Sequence, residues 1–336
     1  MIRPSKIFGN ASAAPRRTGL PRPRALAFAV VCVCAAGGGL GATTATAERA
    51  VTFDVDAVYA AKERGEIDIE VSAGRVQVLG EARDDIEVRG MLGTDVVSWD
   101  VFQDGRYARF QAVPPEPPGD APADLAVDLI FRVPAGTSLN LRSIEGELEV
   151  DGIEGHVTVH TATASTRLRG TPRRAEVTSV AGAVDAELVT PDVELKSVSG
   201  AVTVGGRIES LIAETVDTPL FVDAEIVAEA LLRSVTGNVR MTGRLEDTAR
   251  LRVETASGAV HLALPADLPG RYRIETSTGE LRTDEAGGAR PGLHAVRGRR
   301  LAEWSIGSEP RQVEVRTVDG NVDFTAPEAQ EAHEAP

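Results

Sequence analysis

Apolar and polar residues alternate with a period of two through most of this 336-residue chain. Residues 193–197, Val-Glu-Leu-Lys-Ser, are typical, because an extended strand would place the apolar side chains on one face and the polar ones on the other. Gly, Thr and Val recur where a helix favours Ala, Leu and Glu. The pattern therefore predicts an all-β protein.

A six-residue motif recurs about every 20 residues. Its pattern is Ser or Thr, a mostly small apolar residue, any residue, Gly, any residue, then Val or Leu, as in residues 197–202. The first copies are 18 residues apart, with Ala164 and Thr218 standing where two of them lose the glycine. The step from Gly279 to Gly320 is 41, which indicates a disguised coil or an insertion. The motif glycines are Gly146, Gly182, Gly200, Gly237, Gly258, Gly279 and Gly320.

Such a repeat predicts a single-chain β-solenoid, similar to a right-handed β-helix, because one coil cannot bury its apolar face without its neighbours. Leu195 and Val202 are an odd number of positions apart, so the corner must reverse the parity of the strand. We expect Gly200 to do this with a positive φ. The Ser or Thr hydroxyl should bond the turn backbone, or its copy in the next coil. The apolar residue that follows, such as Val198, should tuck beneath the turn, as should Val180 and Val235. An antiparallel sandwich with evenly spaced hairpins is the alternative.

The chain is expected to divide into five segments. Residues 1–47 have the basic, apolar and small-residue regions of a signal peptide; a retained membrane anchor is the alternative, although the apolar run is shorter than the roughly 20 residues of a spanning helix. Residues 48–113 are interpreted as an N-terminal β cap with the first strands, since they contain aromatic residues that are rare elsewhere, and 114–123 as a Pro-rich loop. Residues 124–326 form the solenoid, and the acidic tail 327–336 is expected to be disordered.

Cysteine usage and charge limit the partners. Cys32 and Cys34 both lie in the signal segment, so no thiol is expected in the exported protein. Loss of that segment removes six basic residues and leaves 30 basic against 50 acidic residues, a net charge of −20. This argues against nucleic acid or anionic lipid as partner, and no membrane insertion is expected after cleavage.

Candidate acidic chemistry is confined to one stretch. Glu145, Glu147, Glu149 and Asp151 could supply the carboxylates of a glycan-cleaving β-helix enzyme, but they alternate with apolar residues as on any solvent-facing strand. Gly-x-Ser-x-Gly does not occur in the sequence. The sequence thus predicts no catalytic residue.

Metal and anion sites are weakly indicated. His156 and His160 would lie about 13 Å apart on a strand, too far for one zinc ion. Stacked acidic corners could hold calcium, although the calcium-binding β-roll repeat is missing. Arg297, Arg299 and Arg300 could contact an acidic partner, or form a solvated loop. We therefore predict neither metal nor cofactor.

Three features resemble the bacterial "putative adhesin" family of β-strand-repeat domains over residues 50–326. They are residues 65–78, which contain Gly-Glu-Ile-Asp-Ile and Gly-Arg-Val-Gln-Val, the segment 131–139, and the Ser-Val-Ser-Gly-Ala-Val repeats. The resemblance implies a β-solenoid at the cell envelope and brings no catalytic residues.

The leading hypothesis is an exported, non-enzymatic envelope protein, an adhesin or scaffold that uses a solenoid surface. Its partner would be an envelope or surface protein or a glycan, in the periplasm or at the cell surface, and the oligomeric state is left open. The alternatives are a carbohydrate-active β-helix enzyme and a periplasmic accessory protein in envelope signalling.

Overall fold

A computed structural model describes residues 53–62, 64–114, 124–265, 268–283, 292–296, 299–308 and 310–325. All regular structure in these ranges is β-strand, which confirms the all-β prediction. The strands up to the first long one are β1 Phe53–Ala60, β2 Glu66–Val71, β3 Ala73–Glu81, β4 Asp85–Leu92, β5 Ser98–Asp104, β6 Tyr107–Val113, β7 Ala126–Pro134, β8 Ser138–Ser143, β9 Glu147–Asp151, β10 His156–Thr161, β11 Ser165–Gly170 and β12 Arg174–Ser179. The others are β13 Val184–Ser197, β14 Val202–Thr215, β15 Leu220–Ser234, β16 Val239–Leu245, β17 Arg250–Thr255, β18 Val260–Ala263, β19 Gly270–Thr276, β20 Leu281–Thr283, β21 Gly292–Val296, β22 Arg299–Ile306, β23 Gln312–Thr317 and β24 Val322–Thr325.

Each coil of the solenoid, here called a rung, returns to its neighbour after about 18 residues. Val184 pairs in parallel with Val202, and Ser197 with Thr215. The chain reverses at the motif glycine, here the glycine corner, and again at a second bend. The second bend lies at residues 152–155 between β9 and β10, and near Pro191 within β13, where the ladder to β14 has a gap. The β-solenoid prediction is confirmed.

The two bends divide the rungs into two runs of paired strands. Sheet I contains, in order, β1, β4, β7, β3, β9, β11, the first halves of β13, β14 and β15, then β16, β18, β24 and β20. Sheet II contains β5, β6, β2, β8, β10, β12, the second halves of β13, β14 and β15, then β17, β23, β19, β22 and β21.

Rungs near both ends of the solenoid are out of sequence order. The rung of β2 and β3 lies between that of β6 and β7 and that of β8 and β9. The rung of β23 and β24 lies between that of β17 and β18 and that of β19 and β20. The strands before residue 114 therefore contribute to the solenoid itself, because β2 and β3 together form a full rung. Between the two glycines of the 41-residue step, the described residues form the hairpin of β21 and β22, which corresponds to the expected insertion.

Inward side chains of both sheets form one continuous core. In β7, Val127, Leu129, Phe131 and Val133 are all buried while the residues between them face outward. Burial of such aliphatic side chains contributes about 1.5–3 kcal/mol each to stability. Parallel stacking lets every rung add to the same interior, so the solenoid can be stable although its described residues contain no cysteine.

Aromatic side chains close the two ends of the core. At one end Phe110 contacts Tyr59, Trp99 and Phe131, with ring centroids 5.3 to 6.1 Å apart. At the other end Trp304 of β22 stacks on Tyr272 at 4.9 Å, and Phe324 packs edge-on against both rings. These rings cover the apolar faces that the terminal rungs would otherwise expose. No helix in the described ranges has the length and hydropathy to cross a membrane.

Candidate functional site: the glycine-corner edge and the faces beside it

The motif glycines stack on one another at one edge of the solenoid. A Cβ atom built on Gly200 would lie 1.9 Å from the carbonyl oxygen of Gly182, and one on Gly258 would lie 2.0 Å from that of Gly237. Every motif glycine approaches the preceding member of one column in this way, and Ala164 and Thr218 occupy two positions of the column with their own Cβ atoms. In spatial order the column is Gly74, Gly146, Ala164, Gly182, Gly200, Thr218, Gly237, Gly258, Gly320 and Gly279. We call this column the glycine ladder.

The reason for glycine differs from the expected one. Of the motif glycines only Gly146 has a positive φ, +117°, so the prediction of a left-handed Gly200 is wrong. Gly200 is required because the backbone of the preceding rung, at Gly182, approaches so closely that a Cβ would overlap it. Parity is reversed instead by Val198 and Ser199, which both face outward between the buried Ser197 and Gly200.

A second glycine ladder, which the repeat pattern did not predict, lies at the other bend. It runs Gly80, Gly152, Gly170, Leu188, Gly206, Ala224 and Gly243. Here left-handed backbone does occur, as at Gly206 with φ +99°. The sequence contains a trace of this ladder, because Gly152 and Gly170 are 18 residues apart, but Leu188 and Ala224 interrupt the series of glycines. The two ladders fix both reversals of each rung.

Hydroxyl groups line the inner side of the glycine corner. The Oγ of Ser197 donates to the carbonyl of Gly200 at 2.7 Å and accepts from the Gly200 amide at 3.1 Å. Thr215 bonds the next rung instead, through the Oγ of Ser234 at 3.1 Å. Both expected modes of bonding are present. The column is buried throughout: Ser143, Thr161, Ser179, Ser197, Thr215, Ser234, Thr255, Thr317 and Thr276.

The apolar residue after each hydroxyl does not tuck beneath the turn, so that prediction is wrong. Val198 is 46% exposed, and Val180 and Val235 are exposed to a similar degree. The reversal of parity uses two outward positions, and this residue occupies the first of them. The outward column of Ile144, Ala162, Val180, Val198, Val216, Val235, Ala256 and Val318 is here called the valine ridge.

The outer surface of sheet II is covered by paired charges and is here called the charged face. Arg233 bridges rungs by bonding Glu214 at 2.9 Å and Glu254 at 3.1 Å. Arg174 likewise bonds Asp192 at 2.8 Å and Glu194 at 2.9 Å. Such ladders hold neighbouring rungs in register at modest energy, because exposed pairs contribute roughly 0–1 kcal/mol each.

Several carboxylates of the charged face have lowered pKa values. The hydrogen bond from Lys196 lowers the pKa of Glu194, and that from Arg299 lowers the pKa of Glu275, against the smaller opposing effect of burial. At Glu254 burial opposes the shift, but bonds from two arginines bring the pKa below its usual value. These groups stay ionised and paired at neutral pH.

The acidic stretch proposed for catalysis lies on the outer surface of sheet I. Glu147 pairs with Arg75 at 2.7 Å, and Glu149 accepts from Gln77 at 3.1 Å. Both partners come from β3 on the adjacent rung, so these carboxylates take part in cross-strand pairing. Asp151 is exposed at the end of the same strand, and Glu145 is exposed in the corner that precedes it.

The other candidate groups are dispersed. His156 and His160 face outward on β10, and the described residues contain no group of three or more His, Cys, Asp or Glu that could hold a metal. Arg299 pairs with Glu275 at 2.6 Å and Arg300 donates to the carbonyl of Gly279 at 2.9 Å. Arg297 lies outside the described residues.

A wide hollow of about 760 Å³ lies at the second bend of the first rungs. Arg64, Arg83 and Arg173 line it together with Glu81, Asp84 and Glu154. Arg83 is already bonded to Asp85 at 2.7 Å. The hollow is therefore balanced in charge and favours no particular ion.

Comparisons with known proteins place this architecture. Three solved structures cover 81–82% of the chain: a putative cell adhesion protein from Clostridium sporogenes ATCC 15579 (9% identity, 100% of its chain, TM-score 0.25), a putative adhesin from Bacteroides fragilis NCTC 9343 (11%, 97%, 0.38) and a putative adhesin from Parabacteroides merdae ATCC 43184 (8%, 95%, 0.37). No curated protein matches the sequence. The Toastrack DUF4097 family matches residues 54–325, most of the chain, so the protein belongs to this family.

Proposed function

We propose that this protein is exported and acts without catalysis, as an adhesin or scaffold that binds an envelope or surface partner through the charged face. The observation that carries the proposal is the form of that face. Outward side chains repeat at one position per rung along sheet II, which is parallel from β6 to β19, so the surface can contact a large partner at many points. Solenoids commonly use extended surfaces in this way.

The electrostatics support binding over acid–base catalysis. A glycan-cleaving enzyme needs one carboxyl with a raised pKa beside an ionised one. Glu194, Glu254 and Glu275 are shifted in the opposite direction, and each is held by a basic side chain. A surface of paired charges instead offers exchangeable contacts to a partner with mixed charge.

Export is supported by the segment 1–47, with its basic, apolar and small-residue regions. The net charge of −20 expected after its removal favours solubility and disfavours contact with anionic lipid. The partner would therefore be a surface protein or a glycan of the envelope, in the periplasm or at the cell surface.

The proposal can be tested by binding of the purified full chain to immobilised envelope glycans and surface proteins. R174E/R233E on the charged face should weaken binding about tenfold or more, since two paired cations are reversed. The matched control R75E/R167E changes two exposed arginines of sheet I and should bind normally. Equal loss in both variants, or loss in neither, would reject the charged face.

The same glycans decide between binding and catalysis. We expect no increase in reducing or unsaturated ends during incubation with the protein. Turnover that disappears in Glu149→Gln would establish a carbohydrate-active enzyme in its place.

A further inference from the structure

The valine ridge is an unexpected concentration of exposed apolar side chains. Thirteen large hydrophobic side chains are exposed among the described residues, and six of them occupy this one column. Their exposure ranges from 42% at Val216 to 59% at Ile144. The core does not require them, because the hydroxyl column beneath already fills the corner.

The ridge is continuous as well as apolar. Backbone bonds connect its members from rung to rung, as from the amide of Ala256 to the carbonyl of Val235 at 3.2 Å and from the amide of Val318 to the carbonyl of Ala256 at 3.2 Å. Ala162 and Ala256 fill the rungs between the larger side chains. Half-exposed valines leave roughly 400–500 Å² of apolar surface, near the upper limit for a monomer and a size that marks interaction sites.

We propose that the valine ridge is an interface between two copies of this chain, packed ridge against ridge. A partner that meets the ridge at every rung must present apolar groups at the same spacing of about 4.8 Å over the same length. A second copy has that spacing by construction of its own ladder. Identical columns of this kind interdigitate into dry interfaces, and closed symmetric pairs are the commonest protein assembly.

The column beside the ridge allows the close approach that such packing needs. Its members are mostly small: Thr163, Ala181, Ser199, Thr236 and Ser257, with Glu145, Asp217 and Asp319 at the other rungs. Ridge and column together would bury roughly 1,200 Å² over both copies, the lower limit of specific interfaces. The three carboxylates and the net charge oppose association, so added salt should strengthen it.

The test is the mass of the purified full chain measured by sedimentation over a range of concentrations. We expect reversible dimers, stronger at high salt, whose dissociation constant rises on the order of 100-fold in V198D/V216D because two charges would be buried unpaired. V198T/V216T keeps the shape and should weaken the dimer by about tenfold, so the test survives if the Asp variant fails to fold. Val189→Asp is the control, because Val189 is equally exposed, at 53%, on sheet I.

Cross-linking locates the contact. In a C32S/C34S background the described chain holds no thiol, so V198C should form disulfide dimers with itself if the two ridges run parallel, or with V216C if they run antiparallel. V189C should form neither. A protein that stays monomeric at every concentration and salt overturns the proposal, as does ridge-dependent binding to lipid vesicles by a monomer. The charged-face variant R174E/R233E should dimerise normally, which separates this inference from the proposed function.

Discussion

Gly200→Ala is the sharpest perturbation of the glycine ladder, because it adds a single methyl group. The new Cβ would lie 1.9 Å from the carbonyl oxygen of Gly182, whereas an ordinary van der Waals contact is 3.4–4 Å. The two rungs must therefore separate locally by more than 1 Å, or the peptide must rotate. Either change occurs in the buried part of the corner.

The magnitude follows from the bonds at that corner. The amide of Ser199 donates to Val180 O at 2.8 Å, and Ser197 Oγ bonds both polar groups of Gly200. Loss or serious weakening of two or three of these, at about 1 kcal/mol each, lowers the free energy of unfolding by about 2–3 kcal/mol. The corner at Ala164 shows that a rung can accommodate a Cβ at this position in a different local conformation, in which the amide of Ser165 bonds Gly146 O at 2.9 Å. A change of the Gly200 corner to that conformation would limit the loss of stability.

The assay is urea unfolding followed by circular dichroism, with Gly136→Ala as matched control. A Cβ on Gly136 meets nothing closer than a side-chain atom of Arg64 at 3.7 Å, and its φ is not left-handed. That substitution should be neutral or stabilising by about 0.4–1 kcal/mol, since alanine restricts the unfolded chain. If Gly200→Ala loses less than about 0.5 kcal/mol, or no more than the control, the close-approach argument is refuted.

Three further substitutions test the ends and the charges of the solenoid. Arg311→Met should lower the free energy of unfolding by about 3 kcal/mol or more in the same assay, because its buried guanidinium bonds three backbone carbonyls. Arg282 is exposed, so Arg282→Met should change the free energy of unfolding by less than about 0.5 kcal/mol. Glu194→Gln should lower the free energy of unfolding by about 0.5–1 kcal/mol at pH 7. Because folding lowers the pKa of Glu194, the difference from wild type should persist at every pH above the unfolded pKa near about 4.3 and vanish as the pH falls through the lower folded pKa. A pH-independent difference would contradict the pairing with Lys196. Trp304→Ala should lower the free energy of unfolding by about 3–5 kcal/mol and expose the end of the core, which increased binding of a hydrophobic dye would detect. Unchanged stability and dye binding would show that this ring does not close the solenoid.

The rung itself could be predicted from the sequence because its causes are local. Strand periodicity, the buried hydroxyl and the corner glycine all fall within one repeat, and degenerate copies at Ala164 and Thr218 were found by spacing alone. The role of Gly200 could not be predicted correctly, because a glycine needed for positive φ and one needed for close approach look the same in a sequence. Only the position of the neighbouring rung distinguishes them.

The valine ridge shows a different limit of the sequence. Val198 follows Ser197, and alternation alone would place one of them inside and the other outside. The hydroxyl is the buried member, since it has backbone partners within its own turn. A hydrophobicity pattern assigns the valine to the interior because it does not count the hydrogen bonds that make a serine favourable there. The charged face was visible as alternating polar residues, but its cross-rung pairs depend on register.

The order of the rungs is the feature that the sequence predicts least. Every rung carries the same apolar pattern, so pairing energies hardly discriminate between sequential and inserted positions. Insertion of the β23 and β24 rung gives it partners on both sides, whereas a last rung added at the end would leave one face open. Arg311 immediately precedes β23, which lies between β17 and β19. Its guanidinium donates to the carbonyls of Leu245 and Glu246, which come before β17, and to the carbonyl of Pro269, which comes before β19. One buried guanidinium, which no repeat pattern contains, thus bonds the chain ahead of both flanking strands at the point where the chain departs from sequence order.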